Sequence, residues 1–260
     1  MKTKIILILS AFVSLLAACK SQYELLLEGN DADAKFAAAM DYFERGKYQK
    51  SAQLFESLSV LTSGTDRDDT VQYYWGLSNY KFKDYYTAET NFETFLEHFP
   101  RSAFSHDAAF YRIDCLYRDT YRYELDQTPT YKAITEISHF MVENPDTPKM
   151  EECKKMVDAL SLRLQKKAFE NAKLYYRMED YKAARVALMN VLKEDSENSY
   201  REEILYLTAM SSYKYAFNSI PQKQKERYLI FADDYLNFIG EYPESKWRPE
   251  LDNLYKKLKK

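Results

Sequence analysis

The chain has 260 residues, with 37 Lys and Arg against 40 Asp and Glu and a formal net charge of −3. Such a balance lacks the excess positive charge that holds a protein to nucleic acid regardless of sequence, and three cysteines are too few for a disulfide framework. Gly is scarce at 5 and Pro at 7, whereas Tyr reaches 24 and Phe 15, so few breakers and many rings favour helices stacked through bulky side chains. The first element in chain order is an apolar run. Lys2 and Lys4 precede it, and Ile5 to Ala18 are mostly apolar, interrupted by Ser10 and Ser14. A membrane helix needs about 20 apolar residues. This run is shorter and has the charge pattern of a secretory signal, predicted over residues 1–18.

Leu16-Ala17-Ala18-Cys19 resembles the bacterial lipobox. The resemblance implies cleavage before Cys19 and a thioether from its sulfur to diacylglycerol; a plain signal peptide with a chance cysteine is the alternative. Several acyl chains give stable anchoring where one does not. No cofactor is expected beyond this covalent lipid on Cys19. Without Lys2 and Lys4 the mature chain carries 35 basic and 40 acidic residues, a net charge of −5. Cys115 and Cys153 read as small apolar helix residues, with a bridge between them as the alternative.

Repeats follow. "GKYQKSAQLFESLS" (46–59) places Tyr48, Ser51 and Phe55, and "KDYYTAETNFETFLEHFPRS" (83–102) places Tyr85, Ala88, Phe92 and Pro100. "TYKAITEISHFMVENP" (130–145) gives Ala133, Ile137 and Pro145; "EDYKAARVALMNVLKEDSEN" (179–198) gives Tyr181, Ala184, Leu188 and Ser196; "FADDYLNFIGEYP" (231–243) gives Phe231, Tyr235 and Pro243. The small residue lets two antiparallel helices approach, and the large one a turn later fills the gap to the neighbour. Pro then blocks continuation. This spacing resembles the second helix of the tetratricopeptide repeat, and a matching first helix precedes each copy. The expected fold is all-α, a right-handed α-solenoid of about five tetratricopeptide-like hairpins. Gly76, inside a helix, is expected where backbones touch. The small positions 51, 88, 133, 184 and 231 lie 37, 45, 51 and 47 apart, against about 34 in the ideal repeat. Insertions are placed at 118–129 and 218–227. The third extension is a long helix over 150–175, with Thr147 as N-cap and Pro148 at its first position.

Catalytic signatures are missing: no HExxH, GxSxG or phosphate loop occurs. His98 and His106 are poorly spaced for a metal, and Asp66 to Asp69 read as a solvated turn. Neither an enzyme nor a metal protein is expected.

"LDQTPTYKAI" (125–134) and "LQKKAFENAKLYYRMEDYKAA" (164–184), together with the lipobox and five repeats, are similar to the BamD family of outer-membrane lipoproteins. The Asp-Gln-Thr-x-Thr stretch opens the second helix of repeat three in that family, with Thr128 or Thr130 as its cap and Pro129 in the first turn. The resemblance covers nearly all of the mature chain. It implies a scaffold facing the periplasm and binding two classes of partner: a BamA-like barrel protein with POTRA domains, and unfolded outer-membrane β-barrels. Further assembly lipoproteins are additional candidates. The implied division is a signal peptide at 1–18, a lipidated tether at 19–34, repeats 1–3 at 35–146 on the substrate side, and repeats 4–5 at 147–260 on the BamA side. Inward-facing repeat positions give Phe36, Met40, Phe43, Tyr73, Leu77, Tyr80, Lys81, Tyr111 and Arg118 for the substrate groove. They give Tyr176, Arg177, Tyr206, Tyr213 and Lys214 for the partner face. Ala187 stands where some members carry an Arg supporting the BamA contact. The competing reading is a repeat lipoprotein adaptor for envelope proteases or cell-wall enzymes; a SusD-like glycan binder is a further alternative, ranked low because such proteins are longer. "KSQYE" after Cys19 lacks the acidic run of surface-exported lipoproteins, which favours the periplasmic leaflet.

Overall fold

The computed structural model describes residues 21–258, so the expected signal peptide and Cys19 lie outside the described residues. Twelve helices make up 77% of what is described, with no strand among them, and the all-α, tetratricopeptide-like expectation holds. They are α1 (Gln22–Glu28), α2 (Ala32–Glu44), α3 (Tyr48–Leu61), α4 (Asp68–Phe82), α5 (Tyr85–His98), α6 (Ser105–Arg118), α7 (Thr128–Glu143), α8 (Met150–Arg177), α9 (Tyr181–Glu194), α10 (Arg201–Phe217), α11 (Pro221–Glu241) and α12 (Arg248–Leu258). The five expected hairpins are α2–α3, α4–α5, α6–α7, α8–α9 and α10–α11. Two compact units result. Unit 1 holds the described residues to Thr120 together with Tyr131–Met150, and unit 2 holds Tyr121–Thr130 and everything from Glu151 onward.

In unit 1 each helix from α2 to α6 packs on the next, and α4 also meets α6 directly. Phe55, Phe92 and Phe95 are fully buried, each contributing about 1.5–3 kcal/mol of apolar burial. A Cβ added to Gly76 would lie 2.9 Å from Phe92 Cε1. The glycine therefore makes room for a ring, and not for a backbone as the sequence suggested. Arg112 ties three helices together: it meets Glu89 at 3.4 Å, and Glu93 and Glu136 at 2.8 Å.

Residues 21–34, expected as a tether, are folded. Ser21 and Glu24 form a reciprocal capping box on α1. The Tyr23 hydroxyl donates to Gln53 Oε1 at 2.6 Å, its ring meets Tyr42 edge-on at 5.5 Å, and the Lys50 ammonium lies 4.8 Å from the Tyr23 ring.

In unit 2, α10 packs on α9 and α11, and the chain adds α12, beyond the hairpin count. α12 buries Leu251 and stacks Tyr255 on Tyr235 at 4.4 Å. The long helix runs from Met150 to Arg177 as its periodicity predicts. Its start is two residues later than expected, because Thr147 and Pro148 form a turn in which Met150 N–H donates to the Thr147 carbonyl. The 118–129 insertion is a loop, but 218–227 is mostly helix: Pro221 starts α11 and lengthens it to 21 residues. Cys115 and Cys153 are both buried, and neither is in a disulfide.

The Asp-Gln-Thr-x-Thr stretch has a local structural explanation. Gln127 is buried and its amide donates to the carbonyls of Arg122, Leu125 and Asp126, while its oxygen accepts from Thr130. At the start of the helix Asp126 accepts from Thr128 N–H at 3.3 Å and from the Thr128 hydroxyl at 3.1 Å. Lys167 and Arg163 hold further loop carbonyls at Leu125 and Tyr121, at 2.6 and 2.9 Å.

One frame underlies both units. α5 and α9 begin at 85 and 181 and end at 98 and 194; α6 and α10 begin at 105 and 201. A 96-residue offset therefore superposes residues 68–118 on 164–214 in register. Under it the left-handed turn residues Lys83 (φ 70°) and Glu179 (φ 63°) correspond, as do the N-caps Asp84 and Asp180. So do the stacked pairs Tyr73–Phe104 at 4.4 Å and Phe169–Tyr200 at 4.9 Å. Gly76 facing Phe92 becomes Ala172 facing Leu188, a methyl exchanged for ring volume.

Two outcomes follow for urea unfolding. Gly76→Ala is expected to lower stability by about 1–3 kcal/mol through overpacking, despite the better helix propensity, and Phe92→Leu in the same chain restores most of the loss. Lys83→Gly is expected to raise stability by about 0.5–1 kcal/mol, because a side chain at positive φ is strained.

Candidate functional site

The first helix of each hairpin carries the candidate residues, and they separate into core and surface. Tyr73 and Leu77 are 6% and 8% exposed and belong to the core of unit 1, so they leave the groove set. Phe36 and Met40 pack half-buried against the cluster around Phe55, with the Arg67 guanidinium 5.7 Å from the Phe36 ring. Phe43 is wedged between Tyr48 at 5.5 Å and Tyr74 at 5.3 Å.

Tyr80, Lys81, Tyr111 and Arg118 do come together, around a residue the sequence reading missed. Asp114 is 1% exposed. Its Oδ2 accepts from the Tyr80 hydroxyl and from Arg118 Nε, each at 2.5 Å, while its Oδ1 makes no hydrogen bond within the described residues. Burial first, then the hydrogen bond to Asp114 and its charge, push Tyr80 well above the ordinary tyrosine range, with Arg118 opposing. The Arg118 guanidinium lies 5.7 Å from the Tyr80 ring and 5.6 Å from that of Tyr85, a favourable cation–π placement. Tyr111 packs on Tyr80 at 4.8 Å, and the Lys81 ammonium is 5.8 Å from it. The surface thus offers rings and a charged fork side by side. Asp114 was visible only as an acid four residues before Arg118 on one helix face.

Unit 2 splits its candidates. Lys214 sits 5.0 and 5.2 Å from the rings of Tyr176 and Tyr181, which meet edge-on at 5.6 Å. Burial works against the charged amine, but the Tyr176 and Tyr181 hydroxyls outweigh it and hold Lys214 above its ordinary value. Arg177 turns back along its own helix to Glu170 at 3.0 Å. Tyr206 lies flat on Trp247 at 5.0 Å and donates to Glu250 Oε2 at 2.8 Å. Tyr213 is packed among Phe231, Tyr228 and Phe217. Ala187 is half-buried beside the Phe169 cluster. Trp247, which completes the Tyr206 platform, was not legible because it lies past the last repeat.

No group of three or more His, Cys, Asp or Glu among the described residues is placed to hold a metal ion, and no helix among them is long and apolar enough to cross a membrane.

A family model described as YfiO, outer membrane lipoprotein, matches residues 29–194. The chain belongs to the YfiO family. This is the BamD-like family of outer membrane lipoproteins. The matched segment is narrower than the resemblance over nearly all of the mature chain: it runs from just before α2 to the last residue of α9. It contains the Asp114 cluster, Tyr176 and Tyr181, whereas Tyr206, Tyr213, Lys214 and Trp247 lie beyond it. No curated protein matches the chain.

The α12 face supplies a pH test. Burial, then the hydrogen bond to Asp252, push Tyr235 up to about 12 from its ordinary 10.0. A raised acid contributes stability that is complete below 10.0 and is lost as pH rises through about 12. Tyr235→Phe is therefore expected to lower unfolding free energy near neutrality, with a deficit that shrinks across that alkaline window in denaturant titrations.

Proposed function

We propose that the chain is a non-enzymatic scaffold of the β-barrel assembly machinery, anchored in the outer membrane by lipid on Cys19 and facing the periplasm. In this reading unit 1 receives unfolded outer-membrane barrel proteins, and unit 2 engages a BamA-like protein through its POTRA domains. The observation that carries it is membership of the YfiO family combined with the Tyr80–Tyr111–Arg118 surface, which lies inside the matched segment. Rings beside a cation suit an extended polypeptide: its side chains bury against the tyrosines, and the guanidinium fixes a polar group. The Tyr206–Trp247 platform gives unit 2 a flat aromatic surface of the kind enriched at protein interfaces.

A mild-detergent pull-down of the tagged, lipidated protein from its own membranes tests the reading. A POTRA-containing barrel protein is expected in near-equal amount. Tyr80→Ala is expected to reduce cross-linking to unfolded barrels by about tenfold while sparing that partner, and Tyr206→Ala to do the reverse. Recovery of a protease or cell-wall enzyme without any POTRA protein would transfer the function to the adaptor reading.

A further inference from the structure

The shared frame of the two units exposes a difference in chemistry. Tyr80, Tyr85 and Arg118 of unit 1 correspond by the 96-residue offset to Tyr176, Tyr181 and Lys214 of unit 2. The geometry agrees closely. Tyr80 and Tyr85 meet edge-on at 5.8 Å and 64°, Tyr176 and Tyr181 at 5.6 Å and 66°. The cation lies 5.6–5.7 Å from both rings in unit 1 and 5.0–5.2 Å in unit 2. Each unit thus builds the same cage, a cation held over two tyrosines across the turn of one hairpin.

The counter-ion is not shared. In unit 1 Asp114 accepts from both the tyrosine and the cation. The corresponding residue in unit 2 is Met210, 6% exposed and packed in the apolar cluster below Tyr176 and Tyr213. Among the described residues no carboxylate forms an ion pair with Lys214; it lies over the rings of Tyr176 and Tyr181. A half-buried ammonium without a counter-ion is costly, and aromatic faces compensate only part of that. An ammonium has three donors, and none of those on Lys214 is spent on a carboxylate among the described residues.

We propose that the Tyr176–Tyr181–Lys214 cage is a carboxylate-binding site, taking from a bound polypeptide the acidic group that unit 1 supplies internally as Asp114. The polypeptide's carboxylate accepts from the Lys214 ammonium, while its neighbouring apolar atoms rest against the half-buried Tyr176 ring. An acidic side chain and a chain-terminal carboxylate present the same two oxygens. The site holds whichever envelope protein unit 2 engages, so its failure is separable from that of the scaffold reading.

The test uses the full mature chain in detergent and three dye-labelled, otherwise uncharged peptides of one sequence, read by fluorescence anisotropy. One ends in a free acid, one is amidated with an internal Asp, and one is amidated with Asn in its place. The free-acid peptide, the Asp peptide or both are expected to bind at least about tenfold more tightly than the Asn peptide, and which of them does identifies the source. Lys214→Met is expected to remove that preference. Met210→Asp, which rebuilds the internal counter-ion of unit 1, is expected to remove it as well. Asp114→Met in the Lys214→Met background is expected to restore it by opening the unit 1 cage. Circular dichroism and a thermal melt establish that each variant is folded. Equal binding of all three peptides, absence of binding to the wild-type chain, or an undiminished preference in folded Lys214→Met would overturn the proposal.

Discussion

The hairpins depend on one steric condition: two helices must come close at a point where one presents almost nothing. Ser51, Ala88, Ala133 and Ala184 meet it, all four fully buried. Ser51 uses the proximity for a hydrogen bond as well, donating to the Ala39 carbonyl at 2.9 Å. In the fifth hairpin the sizes are exchanged, with the ring of Phe231 in the small-residue position and Ala209 in the same cluster. What is held fixed is the combined volume at the contact, as close-packed interiors require. Gly76 with Phe92 and Ala172 with Leu188 are two further solutions of the same kind. Interhelical distance at these points sets which residues of the first helices stay in the core and which reach the surface.

That condition explains why much of the fold was legible. A small residue four positions before a large one is a pattern of residue type and spacing, and such patterns survive in a single sequence. The turns were readable too, since Asp84 and Asp180 cap helices through their own side chains. Less visible were features that depend on a partner distant in the chain. The role of Gln127 needs carbonyls that the loop itself brings round. The docking of α1 needs Gln53 and Tyr42, and the Tyr206 platform needs Trp247, some forty residues on. Tyr73 and Tyr80 have one residue type and one helix, yet only the second reaches the surface. Composition cannot separate them, because a tyrosine can either fill a core or line a groove.

The two units also show how a common frame diverges. Helix starts, turn residues and stacked pairs share one register between 68–118 and 164–214, while the charges laid on it are rearranged. Glu89 contacts Arg112 in unit 1; at the matching place Arg185 forms a two-point ion pair with Asp234 at 2.7 and 2.8 Å. The sign has reversed and the tie now runs to a later helix. Backbone spacing is constrained by volume, whereas the ion pairs laid over it join different helices in the two units. Binding properties can therefore separate between the units without any change of fold.

The docked α1 has a consequence for how the protein stands at a membrane. Cys19 and Gln22 are three residues apart, a reach of at most about 10 Å even in extended chain. With acyl chains on Cys19, the body would have almost no leash: the first hairpin would rest at headgroup level, since Tyr23 fastens α1 to α3. Orientation would then be set by a folded joint and not by diffusion on a string. Freedom to swing would require α1 to detach, exposing the Tyr23 and Tyr42 rings together, so the posture of the molecule and the integrity of its first repeat would be one property.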